Sequence, residues 1–70
     1  VSENIKNIAR GLYLVKLNYF NLQKQHLETI KKDLIKDEFY EVVNSLSIIE
    51  TQIELSIEST LKELKDIDDK

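Results

Sequence analysis

The chain is expected to be all-α: an antiparallel hairpin of two long helices that associates into a four-helix bundle. Three observations lead there. One glycine and no proline interrupt 70 residues, too little punctuation for a turn-rich β protein. Apolar side chains recur at helical spacing in two separate series. The two series, continued as one straight rod, would lie roughly 160° apart at about 100° per residue, so the greasy face would change sides near residues 35–38. A chain reversal there removes the conflict.

The first series runs Ile5, Ile8, Leu12, Val15, Tyr19, Leu22, Leu27, Ile30 and Leu34, an average period of about 3.6 that predicts an amphipathic helix over 3–35. Ser2 precedes it as an N-cap, although Ile5 stands where a capping box would place Glu or Gln. The second series is Phe39, Val42 or Val43, Leu46, Ile49, Ile53, Ile57, Leu61, Leu64 and Ile67, with a period near 3.5. It predicts a helix over 38–66. The turn is placed at 36–37, with Asp37 as N-cap of the second helix and Glu38 in its first turn, where a negative charge suits the helix dipole. A single hairpin domain thus covers 1–70.

Charge is divided unevenly. Residues 1–32 carry six basic and two acidic side chains, whereas 33–70 carry four basic and eleven acidic, within a total of −3. A reversal at 36–37 sets Lys24 near Glu50, Lys16 near Glu58, Arg10 near Glu63 and Lys6 near Asp66 or Asp68. It also matches Leu34 with Phe39, Leu27 with Leu46, Phe20 with Ile53 and Leu12 with Leu61. Exposed pairs of this kind contribute ~0–1 kcal/mol each, so they select register more than they add stability.

The hairpin alone cannot cover its apolar surface. Tyr13, Leu14, Leu17 and Phe20 carry hydrophobic area well round the first helix, and Ile48 and Leu55 lie off the main stripe of the second. A chain this short, with no cysteine for a staple, draws only ~3–5 kcal/mol from a single core. Self-association as a homodimer is the expected remedy, with Leu12, Leu14, Leu17, Tyr19, Phe20, Ile53 and Ile57 as interface residues.

Other candidate sites are weighed against simpler readings. His26, the one histidine, sits four residues from Leu22 and Ile30 and is a candidate phosphoryl acceptor, pH-sensitive packing switch or, with its dimer mate, metal ligand. Its neighbours one turn away include no cation to hold a phosphate, and Gln25-His26-Leu27-Glu28 lacks the acidic residue that follows histidine in kinase phosphoacceptor sites. A histidine bonded to Ser45 or Ser47 across the hairpin is the simpler expectation. Glu50, Glu54 and Glu58 form a carboxylate ladder, but di-iron bundles also need Glu-x-x-His on two helices, which is missing. Lys6, Arg10, Lys24 and Lys31 form a basic flank with Tyr13 and Leu17 between them, a candidate anion-binding surface for nucleic-acid backbone, an anionic membrane or an acidic partner protein. The simpler reading pairs these cations with the acidic second helix.

No glycine-rich phosphate loop, nucleophile–His–acid set or His/Cys cluster is present. The expectation is a non-enzymatic interaction module, an adaptor, small chaperone or inhibitor, with no cofactor and no metal. A small nucleic-acid-binding regulator using the basic flank is the alternative, and a His26 phosphotransfer or pH-sensing module the second. No apolar run reaches the ~18 residues of a membrane span and no secretory signal opens the chain, so a cytoplasmic protein is expected. The hairpin pattern is similar to that of Rop-type plasmid regulators and of helical export chaperones of flagellar systems. That likeness covers the whole chain but rests on helix spacing alone, so it transfers no residue roles.

Overall fold

The computed structural model describes residues 2–69, and they form two long antiparallel helices, α1 (Glu3–Lys36) and α2 (Tyr40–Asp68). Ser2 caps α1 from an extended backbone, its Oγ accepting from the Ile5 N–H at 3.2 Å. The result is a plank of 54 × 14 × 10 Å, as long as α1 itself and a single helix thick.

The reversal differs from the expected one. Helix α1 runs one residue further, to Lys36, and Asp37 closes it as C-cap instead of opening α2. The Phe39 N–H then donates to Leu34 O (3.0 Å) and the Glu38 N–H to Ile35 O (3.1 Å). This pair of bonds is a Schellman ending, which satisfies carbonyls that a helix terminus would otherwise leave open. The motif needs a left-handed residue, and Glu38 supplies it at φ 64°. Helix α2 therefore starts two residues later than 38, from Phe39, which makes no side-chain capping bond, and it continues to Asp68.

The longer turn resets the pairing of the helices. Arg10 meets Asp68 (2.7 Å), Lys16 approaches Glu63 (4.0 Å), Lys24 meets Glu54 (3.3 Å) and Lys31 meets Glu50 (2.9 Å). Arg10, Lys16 and Lys24 thus each find a carboxylate about one helical turn beyond the expected one. Carboxylates repeating every four residues match a basic helix equally well after a slide of one turn, so the charge pattern left the register degenerate. The turn geometry resolves it.

The face of α1 turned to α2 also differs from expectation. Its half-buried positions include Arg10, Tyr13, Leu17, Phe20, Lys24, Leu27, Lys31 and Leu34, in alternating steps of three and four that define a seam. From Leu27 onward the expected stripe lies in that seam. Ile5, Ile8, Leu12, Val15, Tyr19 and Leu22 are instead exposed. The cause is the step from Leu22 to Leu27: five residues turn a helix by about 140°, and an average period near 3.6 conceals the jump. In α2 the seam runs Val43, Leu46, Glu50, Ile53, Ile57, Thr60, Leu64 and Ile67, with only Glu50, Ile53 and Thr60 buried. No described residue of α1 is buried.

Five hydroxyls within α2 are satisfied locally. Ser45, Ser47, Thr51, Ser56 and Thr60 each donate to the carbonyl four residues earlier. Thr60, only 1% exposed, makes the shortest of these bonds, 2.7 Å to Ser56 O. A small side chain with an internally bonded hydroxyl lets the seam close there without an unpaired polar group.

Candidate protein interaction surface

Two faces of α1 differ in chemistry because its charged residues are not distributed around it. Lys6, Arg10 and Lys24 are half-buried on the α2 side, and Lys16 lies at the edge, 5.8 Å from the Tyr13 ring centroid and 6.0 Å from that of Phe20. On the opposite face, Ile5, Ile8, Leu12, Val15, Tyr19 and Leu22 form one stripe at steps of three and four, about 160° from the seam. All six are more than half exposed, Leu12 at 67% and Val15 at 68%. Leu14 adjoins them at 50%. Gly11 sits among them with open space where a Cβ would project.

The seven expected interface residues therefore separate into two groups. Leu12, Leu14 and Tyr19 belong to the outward face of α1, with Tyr19 held by the Gln23 amide, which donates to its hydroxyl at 2.7 Å. Leu17, Phe20, Ile53 and Ile57 belong to the seam within the hairpin, where Ile53 is 8% exposed. Ile5, Ile8, Val15 and Leu22 complete the outward face. The signal for them was present in the five-residue step after Leu22, together with the scarcity of charge on their side of the helix, where Lys16 stands at the edge.

The basic flank is engaged by the molecule's own carboxylates. Arg10, Lys24 and Lys31 pair with Asp68, Glu54 and Glu50, and the Arg10 guanidinium also donates to Asn7 Oδ1 (2.7 Å). Lys31–Glu50 is the most enclosed of these pairs, its side chains 25% and 12% exposed. The Lys31 ammonium, 2.9 Å from Glu50 Oε1, supplies the opposite charge that this enclosed carboxylate needs. Lys6 is half-buried on the same side.

His26 is exposed, and Ser45 and Ser47 donate to Glu41 and Val43 carbonyls, so neither hydroxyl is given to the imidazole as expected. It stands at the rim of a shallow depression of about 180 Å³ lined also by Gln23, Leu27, Ile49 and Ile53. Glu54 and Glu58 of the carboxylate ladder are exposed. Among the described residues no cluster of three His, Cys, Asp or Glu side chains is arranged to hold a metal ion, and no helix is long and apolar enough to cross a membrane.

Apolar residues are also exposed on α2 and at the turn: Phe39, Tyr40 and Val42 surround its start, Ile48 is exposed along α2, and Leu55 is half-exposed at the rim of a depression shared with Lys16 and Phe20 of α1. These lie among charges such as Glu41, Glu54 and Lys62, unlike the outward face of α1. No protein family, curated protein or solved structure matches the chain.

Proposed function

We propose that the chain is a non-enzymatic protein–protein interaction module that works as a homo-oligomeric helical bundle, in the manner of an adaptor, small chaperone or inhibitor. The observation that carries this reading is the outward stripe from Ile5 to Leu22, whose six large side chains are all more than half exposed. Their contiguous area is several hundred Å², on the order of the ~800 Å² per partner of a standard interface and at the upper end of the ~300–600 Å² patches of typical monomers. The thinness of the hairpin supports the same reading. With one buried apolar residue, Ile53, the described fold has little interior to hold it together, and covering the stripe adds the missing burial.

Sedimentation equilibrium on the purified chain tests this reading. A mass of two or more chains at micromolar concentration, with high helicity, is the expected result. A folded monomer at that concentration would remove the proposal.

A further inference from the structure

We infer that a second copy of this chain covers the outward face of α1 with its own α1, antiparallel, placing Ile5 of one copy beside Leu22 of the other and Leu12 beside Val15. The inference rests on the self-association proposed above and specifies which surfaces meet and in which direction.

The occupant follows from charge. Between Asn4 and His26 the exposed positions of α1 are the apolar stripe with Leu14, asparagines, Gln25, Gly11 and His26, with Lys16 at the edge as the single charged side chain. Water-facing helix surfaces normally carry charge, whereas depletion of charged residues marks the core of protein interfaces. An anionic membrane requires a row of cations flanking the apolar stripe, and here only Lys16 stands at its edge while Arg10, Lys24 and Lys31 turn toward α2. A strongly charged partner would find one complementary group, Lys16 at the edge, and none along the stripe itself. A second copy finds an equal surface that is uncharged along its centre, so two basic helices meet there with little like-charge repulsion.

The direction follows from where the uncharged surface ends. Asp33 and Lys36 continue the same face of α1 beyond the stripe. In a parallel pair each would oppose its own copy, aspartate to aspartate and lysine to lysine. In the antiparallel pair centred between Leu12 and Val15, both lie beyond the capped end of the other helix, far from their own copies. Opposed helix dipoles favour the same choice. Because the stripe lies about 160° from the seam, the four helices would then stand side by side in the order α2, α1, α1, α2.

The chain has no cysteine, so engineered thiols report cleanly. Ile5→Cys and Leu22→Cys chains are prepared separately, checked for unchanged helicity, then oxidised alone and as an equimolar mixture, with the mass of the unmodified chain measured in parallel. The two positions lie ~25 Å apart along the helix, so the antiparallel pair is expected to give the mixed disulfide in several-fold excess over either homodisulfide. A dominant Ile5→Cys homodisulfide would overturn the direction. Leu55→Cys on α2 should resist cross-linking, and its dominance would overturn the choice of surface. A dimeric mass with either of those outcomes leaves the oligomer standing and removes only this arrangement, whereas a monomeric mass removes both.

Discussion

Glu38 holds a backbone position that normally favours glycine. Its left-handed φ of 64° brings the Cβ toward the following carbonyl, at a cost of ~1–2 kcal/mol for an L-residue. Glu38→Gly relieves that strain, offset in part by the greater freedom of glycine in the unfolded chain. A net gain of ~0.5–1 kcal/mol is expected, read as a higher urea midpoint with an unchanged slope. The Lys31–Glu50 pair offers a second residue-scale test. Lys31→Met alone leaves a largely enclosed carboxylate without compensation and should destabilise by ~1–3 kcal/mol. Adding Glu50→Leu should recover most or all of that loss, and chemical denaturation of the three variants measures the coupling. Neither device could be read fully from sequence. Glu38 carries no mark of a left-handed backbone, and any of Glu50, Glu54 or Glu58 was an equal partner for a given lysine.

At the scale of the elements, the two helices and their reversal were legible because hydrophobic periodicity and a scarcity of helix breakers both pointed to them. Ser2 was likewise readable as an N-cap. The seam of α1 was not, since a stripe was traced by average period and the jump after Leu22 vanished into the mean. A step-by-step phase reading would have separated Ile5–Leu22 from Leu27–Leu34 and matched the latter to α2. Gly11 is the weak point in the helix that results. Its surroundings are open, so Gly11→Ala adds a side chain without a clash inside the hairpin and should raise stability by ~1 kcal/mol through helix propensity. Thermal unfolding followed by circular dichroism at fixed concentration reads the effect.

For the whole molecule, the candidate interface residues divide into a set that makes the hairpin and a set left over once it is made. Leu17→Glu places a charge in the seam and should cost helicity and the hairpin together. Leu12→Glu places one on the outward stripe and should leave the hairpin compact while shifting the oligomer to monomer, by at least tenfold in dissociation constant for an interface loss of ~1.4 kcal/mol or more. Sedimentation and circular dichroism on both variants separate the outcomes. The surplus of apolar surface is legible in the sequence, whereas its division between seam and outward face depends on which side of α1 the acidic helix takes, and the average period conceals that.

A helix with no buried residue of its own has a further consequence. If most of the burial arises only when two chains meet, the free energy of the native state depends on the logarithm of the chain's own abundance, and dilution becomes a denaturant. The melting temperature should climb steadily as concentration is raised from the micromolar range, and a midpoint insensitive to dilution would show that each plank stands alone. Under such coupling, the amount of this protein present decides how much of it is folded.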